Sequence, residues 1–304
     1  MRKNQKTFIL ILAIMLVSTT FVVGCQKHGP DEEEEELQIV ASFSVLADIV
    51  EEIGGDKVQV DYIVPRGEEP EEYEPSPSDF EYLSDSDVFF INGYNLETWL
   101  EQVAENVSDV DVVKTAEEGP AINLDDSDIP DPHLWLNPQL VKDYYMEKIV
   151  STLRDLDPDN TEYYEERAKN YKGELEELHE LIKDKTDDIP DDHRLIITSE
   201  NAFVYFGDEY DFDTDGIWEI NAHEEGTPQQ ISRIIDIVED TQVPSVFKES
   251  TVDPQYMESV SDETGVEVNG EVYTDGIGDE GTGAESYLDM MEINAQIIGE
   301  ALSD

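Results

Sequence analysis

The chain has 304 residues, with 75 acidic against 18 basic side chains and a formal charge of −57 at neutral pH. So anionic a surface excludes nucleic acid as a partner, because phosphate binding needs the opposite sign. Only 38% of residues are apolar, but 14 Tyr, 10 Phe and 3 Trp fall in periodic segments, which excludes a wholly disordered chain and points to a packed core beneath a salt-adapted surface.

Arg2, Lys3 and Lys6 precede an apolar stretch from Phe8 to Val23. That stretch falls short of the about 20 residues that span a bilayer core, so residues 1–24 read as a secretory signal. Val22-Val23-Gly24-Cys25 resembles the lipobox of bacterial lipoproteins, with valine where leucine is usual. Acylation of Cys25 would anchor the exported chain at the outer face of the cytoplasmic membrane. Cys25 is the only cysteine, so no internal disulfide can form. Loss of the leader leaves 15 basic residues against 75 acids, a charge of −60. Asp31 to Glu36 is a run of acids, and residues 25–36 read as anchor and solvated tether.

From Leu37 onward short apolar runs alternate with helical patterns. Strands are predicted at 37–43, 58–64, 88–91 and 110–113, with helices near 44–54, 78–85, 97–106 and 138–155. A second series has strands at 195–198, 212–218, 245–248 and 266–268, and helices near 200–208, 228–240, 254–263 and 282–302. The alternation predicts an α/β fold with parallel sheets flanked by helices. Between the series, Tyr164, Ala168, Tyr171, Leu175, Leu178 and Ile182 recur at spacings of four and three, one face of a helix over about 161–185. Asn160 or Thr161 is its candidate N-cap. The expected organisation is an N-terminal lobe at 37–158, a linker helix at 159–187 and a C-terminal lobe at 188–304.

Ligands of such folds bind beyond the carboxyl ends of strands and in the cleft between lobes. Four segments carry carboxylates or an imidazole there: Gly67 to Pro75, Asp131 to Pro138, Ile197 to Phe206, and Tyr273 to Ile277 with Val246 to Ser250 upstream. With Trp218 to Pro228 and the linker helix, they resemble the manganese and zinc solute-binding proteins of ABC importers. The resemblance implies His133, Glu200 and Asp275 as metal ligands. The family's first ligand is a histidine in an Asp-Pro-His-x-Tyr-Glu-Pro pattern, which here reads Glu69-Pro70-Glu71-Glu72-Tyr73-Glu74-Pro75. Glu71 therefore stands at the ligand position, with Glu72 or a water as alternatives.

One imidazole and up to three carboxylates make a hard, oxygen-rich set that favours Mn²⁺, with Zn²⁺ and Fe²⁺ as the other candidates. The segment from Glu117 to Asp131 lacks the histidine-rich loop of zinc-type members, although zinc outranks manganese in intrinsic affinity. The resemblance implies an ABC permease as partner, and a monomer is expected. His223-Glu-Glu-Gly-Thr lacks the second histidine of a zinc protease, and there is no nucleophile elbow or P-loop, so no enzyme is expected. The competing expectation is an adhesin-like lipoprotein of the same fold with weak or lost metal binding. Each candidate also has an ordinary structural role open to it: a surface histidine at 133, a first-turn acid at 200 capped by Ser199, a turn at Asp275, and a solvated face at Glu71. His28, His179, His193 and His223 are expected to be surface or structural, and Thr227-Pro228 to start a helix.

Overall fold

The computed structural model describes residues 36–100, 110–124, 127–220 and 226–303. Cys25, His28, His223 and the leader lie outside the described residues. Glu36–Asp304 forms one compact unit.

Four parallel strands form the first sheet: β1 (Leu37–Phe43), β2 (Val58–Val64), β3 (Val88–Ile91) and β4 (Asp111–Lys114), in the order β2-β1-β3-β4. Ile39 pairs with Val60 on one side and Val88 on the other. A parallel strand covered on both faces reads as a continuous apolar run, and Val88-Phe-Phe-Ile91 is buried throughout. Helix α1 (Ser44–Gly54) follows β1, and α2 (Pro77–Asp85) follows β2. Ser76 caps α2 in a reciprocal box with Asp79, whose Oδ2 accepts from the Ser76 amide at 2.6 Å. Residues 98–100 are helical, and the rest of the helix expected near 97–106 lies outside the described residues.

The helix expected at 138–155 is built in pieces. A turn of α3 (Pro138–Leu140), capped by Asn137, passes through a π turn (Val141–Tyr145) into α4 (Met146–Leu156). The long helix α5 (Thr161–Thr186) follows, about 39 Å at 1.5 Å per residue. Its six predicted apolar positions are buried, whereas Glu165, Lys169, Lys172 and Glu176 are exposed. Asn160 holds the N-cap position without a side-chain hydrogen bond to the helix.

The second series contains β5 (Leu195–Glu200), α6 (Val204–Tyr210), β6 (Asp213–Trp218), α7 (Pro228–Thr241), β7 (Ser245–Glu249), α8 (Gln255–Thr264), β8 (Glu267–Val272) and α9 (Tyr287–Leu302). β5 pairs with β6 and β7 with β8, both parallel, while β5 also lies against β7. Helix α7 starts at the Thr227 cap as expected, with Gln230 completing the box. α5 packs against α1 and α4 on the first series and α9 on the second. One apolar cluster runs from Phe43 and Trp135 through Tyr171 to Phe206 and Tyr287, so the two sheet groups share a continuous core.

One boundary differs from expectation in a way that bears on the site. The helix expected from 200 starts at Val204, and Glu200 is instead the last residue of β5. Ser199 is therefore a strand residue and not a helix cap. Gly216 sits opposite on β6, where a Cβ would stand 2.5 Å from the Asn201 amide nitrogen, so only glycine admits this approach. Away from the site, α9 starts at Tyr287 after the Ser286 cap and not near 282.

Candidate metal centre

Four segments converge beyond the carboxyl ends of β2, β5 and β8 and on the 3₁₀ turn Leu134–Leu136. The turn presents His133, and Asp131 fixes it: Asp131 Oδ1 accepts the His133 amide at 2.8 Å and lies 3.0 Å from Nδ1. A proton on Nδ1 shared with Asp131 leaves the Nε2 lone pair facing outward, the arrangement that a carboxylate partner imposes on a ligating imidazole. Nε2 stands 3.5 Å from Glu200 Oε1 and 3.6 Å from Asp275 Oδ1. One ligand atom each from Glu71, His133 and Glu200 lies within 4.8 Å of the others. All four predicted residues therefore meet at one place. Glu72 is exposed and does not join them.

Each segment is braced away from its free end. The chain turns at Glu69, whose carbonyl accepts from the Tyr73 amide at 3.1 Å, and Trp99 Nε1 holds the Pro70 carbonyl at 2.9 Å. Trp135 Nε1 donates to the Thr274 carbonyl at 2.8 Å, tying the histidine turn to the Asp275 loop. Thr274 Oγ1 donates to Asp275 Oδ2 at 2.9 Å, which leaves Oδ1 towards His133. Glu249, at the end of β7, accepts the Ser199 and Glu200 amides at 2.8 and 2.9 Å and so sets the end of β5.

The free ends are the informative part. Both oxygens of Glu71, both of Glu200, Asp275 Oδ1 and His133 Nε2 are sealed from solvent and have no hydrogen-bond partner among the described residues. An unpaired buried polar atom costs about 1–3 kcal/mol, more when charged. Six such acceptors at one point call for a positive charge.

Electrostatics agree. Burial pushes the Glu71 and Glu200 carboxyls well above the usual range, with Asp275 adding to Glu71, and Glu71 then Asp275 adding to Glu200. Burial also raises Asp275, partly offset by His133. For His133 burial pulls the pKa down, but Asp131 and then Asp275 outweigh it and leave the imidazole above its ordinary value. Burial lifts Glu249 to about 7 despite the two amides it accepts. A divalent cation reverses these costs, because it takes the ionised carboxylates and the neutral imidazole as ligands. Two ligands about 2.1 Å from one ion and about 110° apart stand roughly 3.4 Å from each other, close to the spacings around Nε2.

Asp131 and Glu249 are the positioning residues that sequence reasoning did not single out. Asp131 opens the Asp131 to Pro138 segment, and Glu249 is the next-to-last residue of the Val246 to Ser250 segment. The signal for Glu249 was an acid ending an apolar strand, the pattern that also marks Glu200. His179 and His193 are structural, with Nδ1 atoms 3.1 Å from Tyr210 Oη and 3.0 Å from the Leu302 carbonyl.

The family profile for the periplasmic component A of zinc-uptake complexes, ZnuA, matches residues 39–301. The manganese-binding lipoprotein MntA of Halalkalibacterium halodurans is 49% identical over 292 residues, spanning 95% of this chain and 97% of its own. The manganese ABC transporter substrate-binding lipoprotein PsaA of Streptococcus pneumoniae is 37% identical over 305 residues, 96% of this chain and 98% of its own. Among solved structures, the periplasmic zinc-binding protein TroA of Treponema pallidum has a TM-score of 0.84 at 25% identity, over 89% of this chain and 100% of that one. A Mn-bound mutant of a periplasmic metal-binding protein from Candidatus Liberibacter asiaticus gives 0.81 at 25% identity, over 88% of this chain and 100% of that one. With the profile spanning most of the sequence and relatives matched over nearly their whole length, the chain belongs to the ZnuA family of periplasmic metal-uptake components, which are binding proteins and not enzymes.

Proposed function

We propose that the chain captures one Mn²⁺ through Glu71, His133, Glu200 and Asp275 and hands it to an ABC permease. The observation that carries this reading is the set of six sealed acceptor atoms, from four separate segments, that lack any donor among the described residues. The segments belong to both sheet groups, which we take as lobes at 37–158 and 188–304 joined by the helix region 159–187, with the ion between them. Three carboxylates and one imidazole form an oxygen-rich set in which manganese is well matched, while zinc and ferrous iron are the competitors that donor chemistry alone does not reject. The names of MntA and PsaA support manganese, and those of ZnuA and TroA keep zinc in contention.

The protein works outside the cytoplasmic membrane as a monomer. No described helix is long and apolar enough to cross a membrane, and attachment rests on acylation of Cys25, in keeping with the lipoprotein relatives.

Chelator-stripped protein offered equimolar Mn²⁺, Fe²⁺ and Zn²⁺ at high salt, with bound metal counted by mass spectrometry, tests the reading. One ion per chain, mostly manganese and lost from Glu71→Ala, is the expected result. No retained metal would leave an adhesin-like lipoprotein as the better account.

A further inference from the structure

Beside the centre lies a polar cavity of about 230 Å³. Its outer wall holds Arg233, whose side chain is 45% exposed, with Asp215 and Glu219. Its inner wall holds Asp131 and Asn201, only 1% and 9% exposed. The cavity thus leads from the surface to residues that adjoin two members of the centre: Asn201 follows Glu200, and Asp131 precedes His133 by two positions.

The inner wall carries an unmet demand. Asp131 Oδ1 is committed to His133, but Asp131 Oδ2 is buried without a hydrogen-bond partner among the described residues, and so is Asn201 Oδ1. Both atoms accept and neither donates, so what fills the cavity must bring protons or positive charge. Among the described lining residues Asp131, Asp215 and Glu219 are acidic and Arg233 is basic, a balance that favours a cation, and Asp215 binds both terminal nitrogens of that guanidinium at 3.0 and 2.9 Å. At about 30 Å³ per water, the volume admits about seven waters, room for a divalent ion inside a six-water shell.

We propose that this cavity is a waiting site for the hydrated divalent cation, held through its water ligands by Asp131 Oδ2 and Asn201 Oδ1 before it sheds them at the centre. The proposal rests on the reading of the four-residue centre as a metal site. Asp131 then serves two ions in sequence with its two oxygens, one through water and one through His133. Hydrated binding suits the inner wall, because direct ligation by Asp131 would compete with its hold on the imidazole.

A waiting site changes rates without changing the final complex. Stopped-flow binding and chelator-driven release of Mn²⁺ on the full chain distinguish it from a part of the centre. Asn201→Leu removes an acceptor while keeping the size, and is expected to slow association and release together by about tenfold, with Kd unchanged. Glu219→Lys at the rim is expected to slow association about fivefold and weaken its salt dependence, whereas Glu166→Lys on the exposed face of α5 has little effect. Wild-type rates in both Asn201→Leu and Glu219→Lys would overturn the proposal and leave the centre standing. Faster release alone in Asn201→Leu would also overturn it, by making Asn201 a support for Glu200. Absence of Mn²⁺ binding in the wild type would instead remove the metal reading itself, and the waiting site with it.

Discussion

Glu97 and Glu200 are both fully buried carboxylates, 0% and 1% exposed, yet their oxygens meet opposite surroundings. Glu97 Oε1 accepts from Ser42 Oγ at 2.5 Å and from the Asn92 amide at 2.8 Å, and its Oε2 accepts from the Gly93 amide at 3.2 Å. Asn92 in turn holds the Pro132 carbonyl at 2.9 Å and accepts a short hydrogen bond from Tyr145, so Glu97 braces the histidine turn from below. Glu200 has no donor on either oxygen among the described residues and faces Glu71 and Asp275. Burial raises both pKa values, Glu97 to about 7. A raised pKa alone therefore does not separate a structural acid from a ligand. The donors do: a structural carboxylate comes with its partners, while the proposed ligand has none among the described residues.

The largest expected effect follows from that contrast. Glu200→Gln should reduce Mn²⁺ affinity by more than about 100-fold, exceeding the 10–100-fold typical of an outer partner, as read by competition with a chelating dye. It should also raise the melting temperature of the metal-free protein, because it removes a buried charge that lacks a partner. A metal-free Glu200→Gln protein less stable than the wild type would break the comparison.

Glu249→Gln is the next test. It keeps one acceptor for the amides of Ser199 and Glu200 but turns a donor towards the other, so the end of β5 should shift. The expected loss in metal affinity is about tenfold. An effect as large as that of Glu200→Gln would mean Glu249 touches the ion directly.

Acidity should act with opposite signs on the two forms. Glu97 and Glu249 titrate near 7 in the fold against 4.5 for the free side chain. The folded state then holds their protons more tightly than the unfolded chain does. Their penalty is absent below 4.5 and grows as pH climbs through 7, roughly 3 kcal/mol at most for each group. Calorimetry of the metal-free protein should show a higher melting temperature at pH 5 than at pH 8. Mn²⁺ should stabilise strongly at pH 8 and weakly at pH 5, where protons compete for the carboxylates. Equal stabilisation at both would contradict the carboxylate ligand set.

The smallest effect on binding should come from Glu97→Gln. It turns an amide group towards the Gly93 N–H and should cost about 1–2 kcal/mol of stability. Metal affinity should stay within about threefold, reflecting only its charge coupling to Glu71. The two glutamates thus respond oppositely, one trading stability against binding and the other lowering stability alone.

The sequence carried the four-stranded sheet more fully than the strands of the second series. Leu37–Phe43, Val58–Val64 and Val88–Ile91 appear within their predicted bounds because each is an apolar run with a polar break at either side. β8 was expected only at 266–268 but extends over Glu267–Val272, and Asn269, Gly270 and Glu271 have little strand preference of their own. Pairing with β7 holds them extended, with a register shift between Val246 and Lys248. In the same way the expected helix at 200–208 lost its start to β5, since the Glu200 amide goes to Glu249 and the Asn201 amide to the Trp218 carbonyl. Those partners are distant in sequence and leave no local pattern.

The site was legible to a similar depth. His133, Glu200 and Asp275 followed from a family resemblance, and Glu71 from its place in a motif that had lost a histidine. The choice of Glu71 over Glu72 depended on the turn at Glu69, which seals one side chain and exposes the next. Asp131 and Glu249 hold their neighbours through contacts that only the assembled chain displays.

Anomalous diffraction at the manganese edge from crystals of the Mn²⁺-loaded protein tests the central claim most directly. The account predicts one strong peak about 2.0–2.3 Å from oxygens of Glu71, Glu200 and Asp275 and from His133 Nε2. A peak elsewhere, or a Glu71 carboxylate turned away from the ion, would contradict it.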